Sequence, residues 1–188
     1  MKTVKFLAFF FIAGLSLTSC SDDDDNSPEV VNEEEVISDV SITFTDEGGA
    51  STTYTYTDPL YREDSYVDPE IHLISGETYT VKMNFYNNSD PEDPEVVTDE
   101  IREEKDDHFL EFAFQGANVT VSRVDEDTID SNDVKIGLTT RWTAGDASQG
   151  STTVTLIHQP ETKDTSNPNG SHTGGETDAQ VTYALVID

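Results

Sequence analysis

Apolar residues in this chain return at every second position, and that regularity restricts the fold more than any other feature of the sequence. Val40, Ile42 and Phe44 alternate with Ser41, Thr43 and Thr45, and the run stops at Asp46-Glu47-Gly48-Gly49, a turn-forming stretch. Thr52 to Thr57 continues with Tyr54 and Tyr56 on one face. Tyr79, Val81, Met83 and Phe85 line the next strand, whose other face carries Thr80, Lys82 and Asn84. Leu110, Phe112 and Phe114 follow, then Val119 and Val121 after Gln115-Gly116. The longest alternation is Val134, Ile136, Leu138 and Trp142, with Thr140 in phase; Val154 with Leu156, and Val181, Tyr183, Leu185 and Ile187, complete the set. Strands with one apolar and one polar face suit antiparallel sheets packed through their apolar sides, whereas a parallel sheet needs strands apolar on both. The pattern predicts an all-β domain over residues 36–188, an antiparallel β-sandwich of immunoglobulin-like type with about eight strands, a small barrel being the alternative.

One segment departs from period two. Asp93 is a natural N-cap, Pro94 suits a first helical position, and Val97 and Ile101 lie four apart, so a short acidic helix is expected over about 94–107. Its end carries Glu103, Glu104, Asp106 and Asp107, which oppose the helix dipole. Either the helix frays there or a positive group lies close by.

The N-terminal part reads as an address. Lys2 and Lys5 precede an uncharged, largely apolar run from Phe6 to Leu17, too short for a membrane span of about 20 residues but suited to a signal peptide over residues 1–19. Leu17-Thr18-Ser19-Cys20 matches a bacterial lipobox, which makes Cys20 the lipidation site and the lipid anchor the contact with the membrane. Each buried methylene of an acyl chain adds about 0.8 kcal/mol to membrane binding. Residues 20–35 are then a disordered acidic tether reaching up to about 50 Å. Because Cys20 is the only cysteine, no disulfide can staple the sandwich, and a metal site must draw on His, Asp, Glu or backbone oxygen.

Charge removes further classes. The chain holds 10 Lys+Arg against 39 Asp+Glu, a formal net charge of -29, and phosphate-rich partners are repelled by it. Nucleic acid is therefore not an expected partner, whereas cations are natural ones. Catalytic signatures are missing too: there is no Gly-x-Ser-x-Gly elbow, no phosphate-binding glycine loop and no His-Glu-x-x-His. No enzymatic activity is expected.

The candidate site is built on histidine. His108 shares the parity of Leu110, Phe112 and Phe114, and His158 that of Val154 and Leu156, so both face the interior at strand ends where two imidazoles could meet. Glu104 lies four residues before His108 at the end of the expected helix. Two imidazoles and a carboxylate suit zinc or another divalent transition metal. The competing reading is that each histidine fills a sheet end and bonds a backbone carbonyl or a neighbouring acid. The stretch Asp125 to Asp133 is rich in oxygen ligands, but Ile129 breaks the EF-hand spacing, so it reads as an acidic hairpin loop in water. Within it, Asp127-Thr128-Ile129 resembles the sequence at which Bacteroidota periplasmic proteins are O-glycosylated, which makes Thr128 a candidate acceptor.

Ser21-Asp22-Asp23-Asp24-Asp25 is similar to the acidic cluster that sends Bacteroidota lipoproteins to the outer face of the outer membrane. Together with Glu104-Lys105-Asp106-Asp107-His108-Phe109, Thr155-Leu156-Ile157-His158-Gln159-Pro160 and Gly174-Gly175-Glu176-Thr177-Asp178, the chain resembles a group of short flavobacterial lipoproteins, some labelled type 1 periplasmic binding fold. That label implies a two-lobed α/β domain, which this strand periodicity does not supply. The group looks like accessory lipoproteins of TonB-dependent receptors. The resemblance implies a cell-surface outer-membrane protein, periplasm-facing in the alternative, that helps take up a metal-containing nutrient, with His108 and His158 the residues to handle it. The alternative function is an acidic structural or interaction module that contacts a protein or polysaccharide without metal.

Overall fold

Eleven strands and one short helix make up residues 35–188, the part of the chain that the computed structural model describes. In chain order they are β1 (Asp39–Thr45), β2 (Ser51–Thr57), β3 (Glu70–Leu73), β4 (Thr78–Tyr86), α1 (Val97–Glu103), β5 (His108–Gln115), β6 (Val119–Arg123), β7 (Thr139–Ala144), β8 (Ser148–His158), β9 (Thr162–Asp164), β10 (Ser171–Thr173) and β11 (Glu176–Ile187). Signal peptide, lipobox, acidic cluster and nearly all of the expected tether lie outside the described residues. No helix among the described residues is long and apolar enough to cross a membrane.

The strands form an all-β sandwich. One sheet has the order β2-β1-β4-β7-β6 and the other β3-β11-β8-β5, while β9 and β10 pair as a separate ribbon. Every neighbouring pair is antiparallel except β3 with β11. The inward residues are those that the alternation selects: Val40, Ile42, Phe44, Val81, Met83, Phe85, Leu110, Phe112, Val154, Leu156, Tyr183 and Leu185 are all buried. Trp142 of β7 is fully buried among Phe44 of its own sheet and Phe112 and Phe114 of β5 opposite, each meeting it edge-on at ring separations of 5.4, 5.7 and 4.9 Å. Its indole N–H donates to Thr140 Oγ1 at 2.9 Å. A second tie between the sheets is polar: the buried Tyr183 hydroxyl of β11 donates to the Val40 carbonyl of β1 at 2.8 Å.

Three expectations need correcting. The helix is Val97–Glu103, shorter than 94–107, and Asp93 does not cap it; the N-cap is Val96, with no side-chain bond. Residues before it are spent on sheet pairing, since Glu95 bridges Asn87 beyond β4. The helix then fills a gap in the first sheet: β7 covers β4 only as far as Lys82, and further along Thr98 Oγ1 takes the Phe85 N–H at 2.7 Å and donates to the Phe85 carbonyl at 3.1 Å. At its acidic end a positive group is indeed present. The ammonium of Lys163 donates to the carbonyls of Lys105 and Asp106 at 2.9 and 2.8 Å and to Asp130 at 3.1 Å.

Secondly, the alternation at Val134, Ile136 and Leu138 is no strand; β7 begins at Thr139. That segment instead closes one end of the sandwich, the Ile136 carbonyl accepting from Leu110 of β5 and the Leu138 carbonyl from Met83 of β4, at 2.9 and 3.0 Å. Ile136 and Leu138 are buried there, so the spacing reflects burial without a ladder. Thirdly, the described residues form eleven strands and not about eight, because β3, β9 and β10 have four residues or fewer, too few to give a periodic signal.

At this end the second sheet is covered on both faces. Phe109 and Ile157, of opposite parity to the core residues, are also buried. The Arg123 guanidinium lies 4.4 Å over the Phe109 ring and donates to the carbonyls of Leu110, Lys135, Pro168 and Asn169. Burial pushes the Arg123 guanidinium down to about 10, despite the nearby carboxylates of Asp125 and Glu111, so it stays charged at neutral pH. Gly170, at φ +86°, passes so close that a Cβ would run into this guanidinium and the Phe109 ring.

Tyr183→Phe removes the inter-sheet hydrogen bond and leaves a buried carbonyl short of one donor. The expected cost is about 1–1.5 kcal/mol, seen as a lower urea midpoint at unchanged slope; an unaltered midpoint would show that the bond contributes nothing.

Candidate metal centre

β5 and β8 run antiparallel in a register that places His108, the first residue of β5, directly opposite His158, the last of β8. Both side chains are buried on the core side, and their rings stack in parallel, 4.7 Å apart with an interplanar angle of 1°. Before β5 the chain leaves α1 through the turn Glu104 to Asp107, which folds back so that the Glu104 carbonyl lies 3.1 Å from His108 Nδ1. A carbonyl only accepts, so Nδ1 carries the proton and Nε2 holds the lone pair. That Nε2 is buried and has no hydrogen-bond partner among the described residues.

β11 supplies a third group through an irregularity. Thr177 pairs with Ile157 and Ala179 with Leu156, leaving Asp178 as the extra residue of a β-bulge. Its side chain, 6 % exposed, sets Oδ2 3.6 Å from His108 Nε2 and Oδ1 3.7 Å from His158 Nδ1. The approach to β11 depends on Gly175, at φ +80°, where a Cβ would meet the His158 carbonyl and Pro160. A fourth group comes from the start of the described chain: the Glu35 side chain, 8 % exposed, has Oε1 3.9 Å from His108 Nε2. Glu35 belongs to the folded part, one residue before the expected boundary at 36.

Glu104, His108 and His158, the three residues named from spacing and parity, each offer a ligand atom, and these atoms lie within 4.8 Å of one another. Glu35, Glu100 and Glu104 form a second set by the same measure. Glu104 and Glu100 are exposed and the histidines are buried, so the cluster has an open carboxylate side and a closed imidazole side.

Electrostatics favour neutral imidazole at the bottom. Burial holds His108 down to about 4, with the neighbouring His158 pushing the same way, against the upward pull of the Glu104 carbonyl. Burial raises the Glu35 carboxyl to about 7, helped by the negative charges of Glu100, Asp178 and Glu104. An unprotonated imidazole nitrogen facing several carboxylate oxygens is the donor chemistry that zinc and other divalent first-row ions select. The His108 Nδ1–H bond to a carbonyl is the outer-shell contact that usually fixes such a ligand's tautomer.

The two remaining histidines and the other sequence-derived candidates fall elsewhere. His72 lies at the surface beside Glu70 and Asp188, and His172 bonds Glu111 at 2.5 Å. Thr128 is 1 % exposed and its hydroxyl donates to Asp125 at 2.7 Å, so in the fold it is an internal donor and not an open acceptor for a sugar. The acidic loop is not simply in water either: Asp125 also accepts from the backbone of Gly137 and Thr139, and Asp130 from Asn132, Val134 and Lys163, so both buried carboxylates hold the loop together. Cys20 lies outside the described residues. Sequence reasoning did not find Asp178, Glu35 or Glu100. Glu100 was accessible, four residues before Glu104 on one helix face, but parity counted back from Val181 puts Asp178 toward water, and only the bulge reverses it. No protein-family model matches the chain, and no curated protein or solved structure is significantly similar to it.

Two groups here give opposite pH dependences. Between about pH 4.5 and 7 the folded chain binds a proton at Glu35 that the unfolded chain has released, so Glu35 favours the fold at low pH and opposes it as pH rises. His108 acts the other way: between about pH 6.5 and 4 the unfolded chain takes up a proton that the fold refuses, so stability is lost as pH falls. With a chelator present, the Tm of Glu35→Gln relative to wild type should rise between pH 4.5 and pH 8 by a few degrees, about 2–4 °C corresponding to 1 kcal/mol in a chain of this length. A constant difference across that range would refute the burial argument.

Proposed function

We propose that the domain binds a divalent transition metal, zinc being the first choice, through His108, His158 and Glu104, with Asp178 beside them. The observation that carries this is the buried His108 Nε2, which keeps its lone pair, lacks a hydrogen-bond partner among the described residues and faces carboxylate oxygens. A buried polar atom left without a partner is costly unless something absent from the chain itself satisfies it. The strongly negative surface raises the local concentration of cations around the open side of the cluster.

Joined to the lipobox at Leu17 to Cys20, this makes the protein a non-catalytic, lipid-anchored binding or accessory protein of the outer membrane, exposed at the cell surface, that hands a metal-containing nutrient to a TonB-dependent receptor. The site supports the binding part of this reading; the address and the receptor rest on the leader sequence and the resemblance.

Zinc titration of the full-length chain in detergent, with wild type and His108→Ala/His158→Ala, tests the binding. Zinc at about 100 times its Kd should stabilise the wild type by about 2.7 kcal/mol and leave the double variant unshifted. Equal stabilisation of both proteins, or none of either, would overturn the histidine site, and none of either would leave the metal-free interaction module as the better account. For the address, Cys20→Ser should move the protein from the membrane pellet to the soluble fraction, and protease added to intact cells should remove the wild-type domain; an unmoved variant rules out the lipid anchor, and full protection places the domain toward the periplasm.

A further inference from the structure

Glu104 is common to two sets of donors, one with the histidines and one with Glu35 and Glu100. The second set is more than an acidic surface patch, because the Glu35 side chain is 8 % exposed and its Oε2 is buried without a hydrogen-bond partner among the described residues. We propose that the centre takes two divalent cations, the second held by Glu35, Glu100 and Glu104, with the Glu104 carboxylate shared between the two ions. The proposal rests on the metal reading above and extends it.

Charge points the same way. Glu35, Glu100 and Glu104 bring three carboxylates within reach of one another, more negative charge than a single dication at the histidines compensates. Among the described residues, no lysine or arginine forms an ion pair with Glu35, Glu100 or Glu104. The nearest arginine on the helix, Arg102, pairs with Asp99 at 2.6 Å. A carboxylate as covered as Glu35 is otherwise paired or bound to metal when it has no counter-charge.

The two halves also differ in chemistry. The imidazole side suits zinc and similar ions, and the all-carboxylate side suits a harder cation such as manganese, magnesium or calcium. Its donors come from α1, from the turn that follows it and from the segment that leads into β1. An ion there ties Glu35, the first described residue, to the helix.

The test is metal stoichiometry on the full-length chain in detergent, equilibrated with manganese and measured by elemental analysis after removal of free ion, for wild type, Glu100→Gln and Glu35→Gln/Glu100→Gln. Glu100 is exposed, so its single variant keeps the fold even if the double variant does not. Two ions per wild-type chain falling to one in the variants is expected, with the wild-type electron paramagnetic resonance signal broadened by exchange through the shared carboxylate and the sharper signal of an isolated ion in Glu100→Gln. One ion in both wild type and variant overturns the second subsite and leaves the histidine site standing. No ion in wild type overturns both, and two ions retained by Glu35→Gln/Glu100→Gln overturn the assignment to these carboxylates.

Discussion

Trp142 is the contact on which the remaining structure depends. The only cysteine of the chain is Cys20, so no covalent link joins the sheets, and they are held by what their inward faces bury between them. The indole is fully buried, meeting β1 on its own sheet and β5 on the other. Because the inward residues of each strand recur with period two, slipping a strand by one position would exchange its apolar row for threonines and charges. Packing thus fixes register, and register has a functional consequence. It sets His108 opposite His158 at the end of the β5·β8 pair, the only interior pair of imidazoles among the described residues.

Ionisable groups at the closed end of the sandwich fall into two kinds. Arg123 spreads its donors over four carbonyls, Lys163 over two carbonyls and Asp130, and Asp125 accepts three hydrogen bonds from Thr128, Gly137 and Thr139. These charges serve as internal clamps for loops that have no regular pairing, and their hydrogen-bonding capacity is used within the chain. His108 and Glu35 differ from them. Each side chain is covered, each has one atom without a hydrogen bond among the described residues, and the two approach each other at 3.9 Å. Burial shifts them in the same sense, toward the uncharged form, for want of a nearby cation to stabilise charge on Glu35 or of a hydrogen bond to stabilise charge on His108 Nε2. The contrast between satisfied and unsatisfied buried groups, and not acidity alone, distinguishes this cluster from the rest of a very acidic surface.

The same contrast separates what was legible in the sequence from what was not. Parity along β5 and β8 sufficed to bring two histidines to one place, and helical spacing added Glu104, because each is governed by a local period. The strand periodicity likewise gave the sandwich and its core, but it misread Val134 to Leu138, where burial at a sheet end imitates the alternation of a strand. Asp178 and Glu35 were hidden for another reason. A bulge turns Asp178 inward against its parity, and Glu35 belongs to an acidic run whose composition resembles a solvated tether. Ordinary rules of strand and linker would put both residues in water. Holding Glu35 in the interior costs desolvation, which shows in the upward shift of its carboxyl. Both departures from the local pattern occur around the same imidazole pair, and departures of that kind gather where a sequence serves a ligand as well as its own folding.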